Sequence, residues 1–143
     1  MMDMPYRFIW SQILFIRSKK LRPFVTKAGL TSGQPKVLDF VAFHEGSTQK
    51  QIAKGCGVEP ATMSGIIDGL VKNGYIKKNV AEDNRREYQI FLTESGRKKH
   101  SEIRENMDFF ENQILKTFTE EEQVLFQSFL DRYYKAWCES EFE

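Results

Sequence analysis

Cysteine is scarce. Cys56 and Cys138 are the only two in 143 residues, far apart and without metal-ligand spacing. Such a pair, in a chain with no secretory leader, is ordinarily two free thiols. Histidine is as scarce, and His44 and His100 have no partner at ligand spacing, so no metal site is expected. No stretch reaches the roughly 18 apolar residues that a membrane-spanning helix needs. The apolar start, with Phe8, Ile9, Trp10, Ile13, Leu14 and Phe15, has only Arg7 just ahead of it and no small-residue cleavage site behind it. That argues against a signal peptide and for a cytoplasmic chain. There is no nucleophile–base motif, phosphate loop or dinucleotide fingerprint, so neither an enzyme nor a cofactor is expected. Thr93-Glu94-Ser95-Gly96 reads as a helix start rather than a hydrolase elbow.

What is present fits one folded domain. Apolar residues make up 41% and charged residues 29%, which excludes a disordered chain. The net charge of +1 hides an asymmetry: residues 1–46 and 47–99 each carry +4, and residues 100–143 carry −7. A basic front masked by an acidic tail suits a polyanionic partner for the front.

Periodicity orders the elements. A helix is expected from Pro5 to about Lys27, with Pro23 bending or ending it. Thr31 or Ser32 caps a second helix to about Glu45, stopped by Gly46. Ser47 or Thr48 caps a short helix through Lys54, and Gly55-Cys56-Gly57 forces a turn. A fourth helix starts near Glu59-Pro60, presents Met63, Ile66, Ile67 and Leu70 inward, and ends at Gly74. The period then changes. Tyr75–Val80 and Glu87–Leu92 read as strands of a hairpin with a charged tip. Thr93 caps a long helix to about Thr117 with a stripe of Ile103, Met107, Phe110 and Ile114. Thr119-Glu120-Glu121-Glu122 is a capping box opening a last helix. The order predicts a mainly α chain with a small β-hairpin, arranged as a winged helix-turn-helix.

Two motifs carry a family resemblance. The run Ile67-Asp68-Gly69-Leu70-Val71-Lys72-Asn73-Gly74-Tyr75-Ile76, and Asn84-Arg85-Arg86 followed by Leu92-Thr93-Glu94-Ser95-Gly96, resemble the MarR family of bacterial regulators. The resemblance runs from about Leu30 to Ile103. It implies one domain over 1–143, with a DNA-binding lobe at 30–100 and dimerisation helices at 1–29 and 101–143. Two positions depart: Gly65 stands where the family often has arginine, and Asn84 where the wing usually has an acid.

Candidate DNA-binding residues follow. Pro60, Ala61, Thr62, Ser64, Gly65 and Asp68 lie on the outer face of the fourth helix, where small and hydroxyl side chains admit close approach to base edges. Arg85 and Arg86 sit at the hairpin tip. One is expected to enter a minor groove and the other to brace the wing, with Arg85 the choice for the groove. Ser47, Thr48, Gln49 and Lys50 lie where a helix N-terminus offers N–H groups to a phosphate. Lys54, Lys77 and Lys78 add charge.

The terminal helices hold more aromatic residues than the inner face of a small helical head absorbs, which predicts a dimer interface. The reading is a homodimeric, sequence-specific DNA-binding repressor on a palindromic operator. The resemblance adds relief of repression by a small apolar or aromatic effector. The alternative is a winged-helix protein-interaction module that has lost DNA binding.

Overall fold

A computed structural model describes residues 4–83 and 86–141. The described residues form, in order, α1 (Tyr6–Lys27), α2 (Gln34–Phe43), β1 (Ser47–Thr48), α3 (Gln49–Cys56), α4 (Pro60–Lys72), β2 (Ile76–Val80), β3 (Tyr88–Leu92), α5 (Glu94–Leu115) and α6 (Glu120–Glu139). This is a winged helix-turn-helix in a mainly α chain. The chain divides into two compact units, Met1–Asn106 and Met107–Glu143. Among the described residues no helix is long and apolar enough to cross a membrane.

In the first unit the core lies between α2, α3, α4 and the sheet. Val37, Leu38 and Val41 of α2, Ile52 of α3, and Met63, Ile67 and Leu70 of α4 are fully buried, with Ile76 and Ile90. Each such side chain contributes about 1.5–3 kcal/mol by leaving water. Ile66, expected on the inward stripe, is only half-buried. Its tip lies where a Cβ on Gly33 would come within 2.6 Å.

Several local readings need correction. The cap of α2 is neither Thr31 nor Ser32 but Gly33, and α2 ends at Phe43. Gln34 instead reaches back, its Oε1 accepting from the Thr31 N–H at 2.9 Å. The short helix runs past Lys54 to Cys56, so Gly55 and Cys56 are helical. Gly57 alone makes the turn, at φ 63°. Gly55 is small for a different reason: a Cβ there would strike the Phe40 ring. The two-stranded hairpin is a three-stranded antiparallel sheet in the order β1-β3-β2, with Ser47 opposite Ile90 and Thr48 opposite Gln89. The first helix, by contrast, reaches Lys27 as expected, with Pro23 inside it.

The end of α4 is tied to the start of α5 around the sheet. Thr93 donates its N–H to the Tyr75 carbonyl at 3.0 Å. Its hydroxyl donates to the Gly74 carbonyl at 2.5 Å and accepts from the Gly96 N–H at 2.9 Å. A Cβ on Gly96 would collide with the Tyr75 carbonyl. Alongside, the Glu45 carboxylate holds Arg97 with two contacts, at 2.9 and 3.2 Å, and accepts from the Leu92 N–H at 3.2 Å.

The terminal helices are different. In α1 only Val25 is buried, and Tyr6, Leu14 and Phe15 are more than 60% exposed. In the second unit Thr119 and Glu122 form the expected capping box. No described residue of α6 is buried, and Val124, Phe129, Tyr134 and Trp137 are open to solvent.

Two glycines should respond in opposite ways to alanine. Gly96→Ala must displace backbone and should cost about 1–3 kcal/mol or more. A Cβ on Gly65 meets nothing within 4 Å, so Gly65→Ala should gain roughly 0.5–1 kcal/mol from helix propensity. Urea denaturation of both variants measures this. A neutral Gly96→Ala would contradict the packing described.

Candidate nucleic-acid interface

The outer face of α4 follows from helix periodicity. Because Met63, Ile67 and Leu70 point into the core, Pro60, Ala61, Thr62, Ser64, Gly65 and Asp68 point out, and all six are exposed. Pro60 opens α4 after Glu59, which makes no side-chain cap, so the first turn keeps donors that an outside acceptor can use.

Asp68 does not stand alone on this face. Its carboxylate lies 3.8 Å from the Lys78 ammonium on β2. Strand alternation explains the meeting: Ile76 enters the core, so Lys78 two residues on turns to the same side. Both side chains are solvent-accessible, so the pair contributes little stability, about 0–1 kcal/mol. Its effect is positional, joining α4 to β2.

The residues before and within α3 divide their tasks. Ser47 donates its hydroxyl to the His44 carbonyl at 2.7 Å. Thr48 and Gln51 form a capping box, so the Gln51 N–H is already taken. Gln49 reaches across to α4, its Nε2 donating to Ser64 Oγ at 3.2 Å. Lys50 is exposed. At the other end of α3, the Lys36 ammonium donates to the Cys56 carbonyl at 2.8 Å, satisfying a free carbonyl at the negative end of the helix.

Thr48, Gln49, Lys50, Lys78, Arg86 and Tyr88 line one recess between α3 and the wing. Glu87 adds a carboxylate to three cations there. Arg86 is exposed on the wing, while Arg85 and Asn84 lie outside the described residues. Lys77 points to the other side of β2 from Lys78. Tyr88 is the member that sequence reasoning overlooked. Its position opposite Val80 would have identified it, had the hairpin register been known.

Cys56 is buried at the end of α3, and that burial pushes its thiol above the usual range, with Lys36 pulling down less strongly and Asp39 pushing up. A raised folded value means the neutral thiol favours the fold. This stability is complete below the ordinary thiol range and falls as pH rises above it. Iodoacetamide should therefore modify Cys56 far more slowly in native protein than in urea. Equal rates would contradict the burial.

Comparison with known proteins places this geometry. A family model described as "MarR family" matches residues 28–87. The chain is similar to the HTH-type transcriptional regulator YwoH of Bacillus subtilis (strain 168), with 34% identity over 109 residues, covering 76% of each chain. It is also similar to the HTH-type transcriptional repressor YetL of the same organism, at 25% identity, covering 82% of this chain and 74% of YetL. Among solved structures, a MepR–DNA complex from S. aureus superposes with a TM-score of 0.82 at 22% identity, covering 94% of this chain and 99% of that one.

Proposed function

The chain belongs to the MarR family of transcriptional regulators, and from that membership we propose that it is a homodimeric repressor that binds double-stranded DNA. The observation that carries the reading is the adjacency of two surfaces. An exposed α4 face of small and hydroxyl side chains adjoins a recess lined by Lys50, Lys78 and Arg86. The first suits base edges in a major groove, and the second suits the phosphate backbone. The fold shared with a MepR seen in complex with DNA supports this assignment, and the repressor YetL supports the sign of regulation.

Within that reading Thr62, Ser64 and Gly65 face bases from α4, joined by Pro60 and Ala61 at its first turn. Asp68 serves by holding Lys78. Ser47, Thr48, Gln49 and Lys50 form the phosphate-side support. Arg85, which lies outside the described residues, is the expected minor-groove contact, and Arg86 braces the wing. The exposed apolar side chains of α1 and α6 supply the interface with a second copy, because surface of that kind is rarely left open on a monomer. Twofold symmetry then calls for a palindromic operator. A small apolar or aromatic effector that favours a dimer with mismatched reading helices would relieve repression, and the protein would act in the cytoplasm.

Two measurements test this. Binding to the protein's own upstream DNA should weaken about tenfold or more between low and physiological salt. Absence of salt-dependent binding would favour a protein-interaction module instead. Sedimentation at micromolar concentration should give twice the 16.8 kDa chain mass. A clean monomer would remove the symmetric operator.

A further inference from the structure

Gln49 and Ser64 stand on different helices, α3 and α4, and meet at the surface. The Gln49 amide nitrogen lies 3.2 Å from Ser64 Oγ. An amide nitrogen only donates, so the serine oxygen accepts and one of its lone pairs is used. The serine hydrogen is then left to point elsewhere. Four other hydroxyls in this chain turn that hydrogen back on their own backbone: Ser11, Ser47, Thr117 and Ser140 each donate to the carbonyl three residues earlier. Ser64 does not. Among the described residues Gln49 is its side chain's one hydrogen-bond partner. Beside it Gly65 has no side chain and open space around it, and Ser64 itself is exposed.

We infer that Gln49 is a positioning residue for sequence reading, holding Ser64 as a hydrogen-bond donor so that α4 selects an acceptor edge at one base in each half-site. This rests on the DNA-binding reading above and names its polarity. In the major groove, guanine offers N7 and O6, adenine N7 and thymine O4, whereas cytosine offers only the N4 amino donor. The base facing Ser64 is therefore a purine or thymine, and cytosine is disfavoured because it offers the serine hydrogen no acceptor.

Selection from a random duplex library tests this with wild type, Ser64→Ala, Gln49→Ala, the double variant and Gln49→Glu, each checked for an unchanged circular-dichroism melt. Ser64→Ala and Gln49→Ala should flatten the preference at the same position, by about tenfold for a lost base contact. The double variant should flatten it no further. Gln49→Glu is the decisive arm. A carboxylate accepts only, so it takes the serine hydrogen and turns the oxygen lone pairs outward. The preference at that position should move toward cytosine, an effect that a merely structural role for Gln49 would not produce. Cytosine preferred by wild type, or a position indifferent to Gln49→Ala or unmoved by Gln49→Glu, would overturn the assignment. If wild type enriches no sequence and binds without salt dependence, the DNA-binding reading itself falls, and this inference with it.

Discussion

The junction of Gly74-Tyr75 with Thr93-Gly96 is the constraint on which the wing depends. Between these two points the chain leaves α4, makes β2 and β3, and returns to start α5. Thr93 closes that excursion with both its backbone and its side chain, bonding the Tyr75 and Gly74 carbonyls and capping α5 through the Gly96 N–H. The closure is tight enough that Gly96 has no room for a Cβ against Tyr75. A glycine is needed there for close approach rather than for an unusual backbone angle. Gly74-Tyr75 of the one motif and Thr93-Gly96 of the other are thus two sides of one contact.

With its base closed, the wing is also held at its strands. The Asp68–Lys78 pair ties β2 to α4. Glu45 ties the end of α2 to β3 and α5. The two residues of β1 add a third strand against β3. Gln49 then links α3 to α4. Each exposed polar contact is worth little energetically. Together they keep the outer face of α4, the start of α3 and the wing in one arrangement, as the proposed reading of a rigid duplex requires.

Much of this was legible in the sequence because the signals were redundant. The α4 stripe, Pro60 at its start and Gly74 beyond its end all agree, and the Thr119 box marks α6 unaided. What was misread turned on contacts between distant residues. Gly55 looked like half of a turn, but its neighbour is Phe40 on another helix. Thr31 and Ser32 had the chemistry of caps, yet Gln34 supplied its own side chain to that turn. Ser47 and Thr48 form a strand too short to leave a periodic trace. In the candidate site, the outward residues of α4 followed from period alone. The links from Asp68 to Lys78 and from Gln49 to Ser64 depend on register and helix packing, which no local pattern encodes.

The terminal helices set the remaining condition. The side chains of α1 and α6 leave aromatic and aliphatic surface exposed on the single chain, and a symmetric pairing that covers it would present two copies of α4 to one duplex. Hydroxyl-radical footprinting on the protein's own upstream DNA tests this account most directly. The account predicts two protected stretches related by twofold symmetry, with half-site centres about one helical turn (roughly 10 base pairs) or a multiple of it apart. A single unsymmetrical footprint, or uniform weak protection that follows no sequence, would contradict it.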